Sequence, residues 1–240
     1  MSEESHLIQY NFTTEDGLNY TYNIRLREDD LSFIMPDKNQ TPPSWTELDN
    51  CKCSHCPYNK NTVPHCPLAV GLAVFVEDFK GDVSYKEVKI TVKTEERVYF
   101  KKANLQDGLY SIMGIVMATS NCPNMDILKP MARFHLPFAS MEETIIRSLS
   151  FYLTRQFFNS KRGEESDFDL KGFGQMYDDI KEVNKGILQR IRSISEKDAN
   201  ANGLIILDAF TTVLSSSLSE NFEKLERYFP KLKKPAIKGE

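Results

Sequence analysis

The sequence predicts an α+β protein: an antiparallel sheet of about four strands covered by helices, followed by a long C-terminal helical hairpin. Two segments alternate around turn-forming residues, later segments recur at helical spacing, and 240 residues with 40% hydrophobic content supply a real core. The first strand pair is Ile8 to Phe12 and Leu18 to Ile24, joined by Asp16-Gly17, a pair that accepts the positive φ of a tight turn. The second is Val88 to Lys93 and Arg97 to Phe100, turning at Glu95-Glu96. Its lysines (Lys89, Lys93, Lys101, Lys102) alternate with Glu87, Glu95 and Glu96, which suits a protected edge strand better than a nucleic-acid surface.

Pro67 opens Leu68 to Val76, a run without a polar face that belongs in a core. From Asn104, a candidate N-cap, Leu105, Leu109, Ile112, Met113, Val116 and Met117 mark a helix. Ser140-Met141-Glu142-Glu143 is a capping box opening a helix to Phe158. The charged stretch at 160–166 is the candidate boundary between an α+β domain at 1–160 and a helical hairpin at 167–230, with 231–240 a polar tail. In the hairpin, Phe173, Met176, Ile180, Val183, Ile187, Ile191 and Ile194 form one stripe. Leu207, Phe210, Leu214, Leu218, Phe222, Leu225 and Phe229 form the other, with the turn expected at Asn202-Gly203. This hairpin is expected to pack on the first domain or to supply a surface for a protein partner or self-association.

A net charge of -4 provides no global field for nucleic acid or anionic lipid. Met1 to His6 has neither the basic nor the apolar region of a secretory signal, and Leu68 to Val76 is too short to span a bilayer. With five cysteines, an odd number, the expectation is a reducing cytoplasm.

Four cysteines crowd into the loop at about 45–67 as Cys51, Cys53, Cys56 and Cys66. Thiolates are soft donors, and this spacing suits a tetrahedral zinc site, with His55 or His65 as alternate ligands. Cys66 precedes Pro67 at a helix start, where the dipole favours a thiolate. Cys56, Cys66 and Cys122 each precede proline, as cysteines do in iron–sulfur ligand runs, so a cluster is the alternative cofactor and free thiols a third reading. A structural metal that pins the loop accounts for the residues more economically than catalytic zinc, which needs an open position beside a general base.

A second candidate site is Cys122, Arg133 and His135. Arg133 and His135 lie between Pro130 and Pro137, and a thiol with a histidine can form a nucleophilic pair. The competing reading packs Phe134, Leu136 and Phe138 inward, ties His135 to a loop carbonyl, and makes Cys122 a further ligand or a buried hydrophobe. No His-Glu-x-x-His, Gly-x-Ser-x-Gly or phosphate-loop sequence is present, and the adjacent carboxylates Glu77-Asp78, Glu142-Glu143 and Asp178-Asp179 cannot face each other on helices. The reading is a metal-stabilised binding or regulatory module acting through protein contacts. The alternative is a redox or small-molecule enzyme using an iron–sulfur cluster or Cys122 with His135.

The Cys51 to Cys66 cluster ending His-Cys-Pro, and the Cys122-Pro123 to Phe138-Ala139 segment ending Arg-Phe-His-Leu-Pro-Phe-Ala, resemble an uncharacterised bacterial protein family over residues 45–160. The resemblance implies a bacterial cytoplasmic protein and carries over no catalytic residue.

Overall fold

The computed structural model describes residues 5–36, 41–216 and 225–231. Strands β1 (Ser5–Thr14) and β2 (Asn19–Arg27) form the expected hairpin. Thr14 and Leu18 close it through backbone bonds, and Gly17 takes φ +85°, a conformation glycine adopts without strain. A two-residue strand, β3 (Phe33–Ile34), adds to β2. Strands β4 (Glu87–Lys93) and β5 (Val98–Asn104) complete a five-stranded antiparallel sheet in the order β3-β2-β1-β4-β5, one strand more than expected. Alternation places Ile8, Tyr10, Phe12, Ile24, Leu26, Val88, Ile90 and Val92 on one fully buried face.

Two helices cover that face, α1 (Pro67–Val76) and α2 (Leu105–Ala118). Asn104 stands at the N-cap of α2 as expected, but its side chain makes no capping bond. The free amides of Leu105 and Gln106 instead donate to the carbonyls of Lys86 and Ser84. Gly108 sits directly over the sheet, where a Cβ would lie 2.3 Å from Phe12 Cε1 and 2.8 Å from Ile90 Cδ1.

The short helix α3 (Lys129–Arg133) precedes α4 (Met141–Lys161). The capping box of α4 forms in full: Glu143 N donates to Ser140 Oγ at 3.2 Å and Ser140 N to Glu143 Oε2 at 2.8 Å. Beyond it, the link to the next helix is tied down. Asp167 N donates to Gln156 Oε1, and the Asp167 carboxylate accepts from Tyr152 Oη, Lys171 N and Gly172 N.

Helices α5 (Phe173–Ile194) and α6 (Ala199–Ser216) form the C-terminal hairpin. The buried Asn184 side chain donates to Thr211 Oγ1 across it at 3.1 Å. The turn lies at Ser195 to Asp198, not at Asn202-Gly203, which are inside α6. The connection is fastened to the loop before β4. Glu196 and Lys197 donate to the Lys80 carbonyl, and the Asp198 carboxylate accepts from Ser84 N at 2.8 Å and Ser84 Oγ at 3.1 Å. Gly203 serves packing instead, since a Cβ there would stand 2.9 Å from Leu109 Cβ of α2. Helix α2 is therefore buried between the sheet and α6, and one core includes residues from both predicted domains. Leu225 returns to that core, while Arg227 and Tyr228 bond the Glu142 carboxylate of α4. Leu218, Phe222 and the tail beyond Lys231 lie outside the described residues.

Gly108 and Gly114, both on α2, make opposite predictions. Gly108→Ala forces the sheet and helix apart and costs about 2 kcal/mol or more. A Cβ at Gly114 meets only Leu207 Cδ2 at 3.6 Å. There alanine is expected to be neutral or to stabilise by up to about 1 kcal/mol through helix propensity. Urea unfolding of the two variants measures the contrast.

Candidate metal centre

The cysteine-rich loop is built on a clip made by its two ends. A 3-10 turn at Ser44–Thr46 leads into an antiparallel bridge between Glu47 and His65. Leu48 N donates to Pro64 O, and Cys66 N donates to Thr46 O, both at 2.8 Å. His65 Nδ1 lies 2.8 Å from Thr46 Oγ1, so this ring nitrogen is already engaged. Trp45, buried beneath the clip, donates its indole N–H to Glu77 Oε1 at 2.9 Å.

The centre of the clip is Arg190 of α5, only 2% exposed. Its Nη1 donates to the carbonyls of Trp45 (2.9 Å) and Glu47 (2.6 Å), and its Nη2 to Leu48 O at 2.9 Å. A planar fork of fixed donors matches three converging carbonyls in a way a lysine ammonium cannot. One turn earlier, Gly186 permits contact with the loop: a Cβ there would lie 3.0 Å from Cys51 O and 3.6 Å from Cys53 Sγ.

All five cysteines are free. Cys53 and Cys56 share a tight turn in which Cys56 N donates to Cys53 O at 3.2 Å. Cys66 is buried at the N-cap of α1, in the position expected. Cys122 is buried after α2, behind Asn121, whose φ of +62° reverses the chain. Tyr58 bridges the two regions, donating its hydroxyl to Asn121 O at 2.7 Å. Burial pushes the Cys122 thiol up to about 12, and the neighbouring thiols of Cys66, Cys53 and Cys56 push the same way. Cys53 is pushed up to about 11, again by burial first and then by Cys66 and Cys56. Thiols from three separate segments are thus near enough for their charges to act on one another. Cys51 is placed differently, at φ +53° with its Sγ 3.5 Å from Asn50 Oδ1. His55 has a buried Nε2 without a hydrogen-bond partner, and the ring lies near enough to Glu182 of α5 to act on its carboxylate. Among the described residues, no group of three or more His, Cys, Asp or Glu side chains is arranged to hold a metal ion as it stands.

In the second set of candidate residues, His135 is tied to the central strand. His135 Nε2 is 2.6 Å from Tyr10 Oη, which is in turn 2.7 Å from Ser111 Oγ, so the imidazole bonds a strand tyrosine in place of the loop carbonyl expected. Burial, reinforced by the Arg147 cation, pushes His135 down to about 3. Arg133 lies over the ring of Phe134, and Phe134 is 62% exposed, stacked on Phe151 instead of packed inward. Leu136 and Phe138 are half-buried. The residues that sequence reasoning missed are Arg190, whose role depends on carbonyls far away in the chain, and Tyr10, which read only as a strand residue.

Replacing Arg190 with methionine removes three charge-assisted bonds and leaves buried carbonyls without donors. The expected loss is about 3 kcal/mol, with faster amide exchange across residues 45–66. A pH series tests His135. Below pH 6.5 the unfolded chain binds a proton that the folded His135 refuses until about pH 3, so stability is complete above 6.5 and falls as pH drops. His6, also held low by burial, adds to the fall. Between those two values His135 contributes about 1.4 kcal/mol per pH unit, and His135→Gln flattens the slope by that share.

No curated protein and no solved structure matches the chain. The model of DUF6901, a domain of unknown function, matches residues 8–230, taking in the sheet, the clip, the thiols and both C-terminal helices, and the chain belongs to that family.

Proposed function

We propose that the protein is a metal-stabilised binding module in which Cys53, Cys56, Cys66 and Cys122 together bind one zinc ion. The observation that carries this reading is that buried or half-buried thiols from the loop, the start of α1 and the segment after α2 lie near enough to act on one another. Compared with the four cysteines closest in sequence, this set replaces Cys51 with Cys122. The physical argument is that protonated thiols have nothing to draw them to a common point, whereas a divalent cation displaces their protons and pulls in the sulfurs. Zn–S bonds of about 2.3 Å would draw the sulfurs together around the ion, and the Arg190 clip fixes the backbone where the loop begins. Bound there, the metal would join the loop to both ends of the helical layer.

Two features favour a structural role. The buried Cys122 thiol is not an accessible nucleophile, and His135, its proposed partner, is engaged with Tyr10. In this reading the C-terminal helices supply the contact surface for a protein partner or a second copy, through exposed residues such as Ile205. A reducing cytoplasm keeps the five thiols free for metal.

Elemental analysis and absorption spectra of anaerobically purified protein test the assignment. One zinc per chain in a colourless protein is expected. Cys53→Ser and Cys122→Ser should each lose most of the metal and melt roughly 10 °C lower, the scale of a few kcal/mol in a chain of this size. Cys51→Ser should retain both metal and melting temperature. Loss of zinc from Cys51→Ser with retention in Cys122→Ser would restore the ligand set nearest in sequence. Iron with visible charge-transfer bands would replace zinc with an iron–sulfur cluster.

A further inference from the structure

Between α2, α3, α4, α5 and α6 lies a pocket of about 140 Å³ that opens to solvent at one side. Gly114, Ala118, Met131, Ile180, Leu207 and Leu214 form much of its apolar wall. Side chains of this kind would be expected to close on one another in a core with no occupant. The polar groups are mostly hydroxyls, among them those of Thr144, Ser148, Tyr177 and Thr211. Ser111 and His135 lie on the wall, tied to Tyr10, and His135 Nδ1 has no hydrogen-bond partner among the described residues.

Arg147 of α4 is the one charged side chain on that wall among the described residues. Its Nη2 donates to Met131 O at 3.0 Å and Phe134 O at 2.7 Å, which holds α3 and its following turn against α4. Those bonds use one nitrogen of the guanidinium and leave Nε and Nη1 without a protein partner among the described residues. No carboxylate among the described residues pairs with it. Glu143 is the nearest acidic group acting on it, and that side chain is committed to the capping box. A half-buried cation at an apolar cavity without a counter-charge is costly unless an anion reaches it.

We infer that this pocket binds a small carboxylate with an unbranched aliphatic body, its head on Arg147 and its chain along the wall of α2 and α6. Guanidinium donors match a carboxylate in geometry as well as charge. The lining surface is predominantly apolar beside its scattered hydroxyls, which favours an alkyl chain over a sugar or nucleotide.

Calorimetric titration of the full chain with decanoate, decanol and a short carboxylate such as acetate tests this. Decanoate is expected to bind about tenfold or more tightly than decanol, the scale of one charge-assisted bond, and acetate not measurably. Gly114→Leu, whose side chain enters the pocket, should abolish decanoate binding while circular dichroism and melting show an intact fold. Arg147→Gln should remove the preference for decanoate over decanol. Equal binding of decanoate and decanol by the wild type would overturn carboxylate recognition without recourse to a variant. Absence of binding by both, or decanoate binding unchanged in Gly114→Leu, would overturn the pocket as the site.

Discussion

The cysteine-rich loop depends on a single buried guanidinium. Arg190 projects from near the C-terminal end of α5 and holds three carbonyls of residues 45–48, groups that are more than 140 positions earlier in the chain. Irregular backbone carries polar groups that must be satisfied, and this loop has no strand or helix of its own between the 3-10 turn and α1. One cation meets that requirement at several acceptors at once. It also couples the loop to the C-terminal hairpin, so the thiols and α5 are parts of one packed unit.

Helix α2 is the other organising element. It has the sheet on one side and α6 on the other, with glycines at the closest approaches: Gly108 over Phe12, and Gly203 of α6 against Leu109. Its two ends serve different chemistry. Its C-terminus leads within a few residues to Cys122 and the thiol region, while Ser111, Gly114 and Ala118 face the apolar pocket. The Tyr10, Ser111 and His135 chain joins the central strand to that pocket wall. Uncharged, hydrogen-bonded groups suit such a location, since a cationic imidazole there would be desolvated beside Arg147.

Much of the architecture was legible because it rests on local chemistry. The Asp16-Gly17 turn, the alternation of β1, β2 and β4, Pro67 at the start of α1, and the Ser140 and Glu143 box all act within a few residues of themselves. The Asn202-Gly203 turn misled because glycine has two uses. A pair that reads as a chain reversal is here a point of close helix contact, and the true turn at Ser195 to Asp198 gains its hydrogen bonds from Lys80 and Ser84.

The sequence alone determined the elements, the α+β class and the presence of a thiol-rich loop, because period, capping and turn preference operate over one or two turns of chain. It also marked Cys122, which shares its following proline with Cys56 and Cys66. Only the tertiary structure decided that Cys122 comes within electrostatic reach of Cys53, Cys56 and Cys66, that Arg190 anchors the loop, and that His135 belongs to Tyr10. Those relations are set by where a helix buried on both sides places distant segments, and spacing along the chain does not record distance across a core.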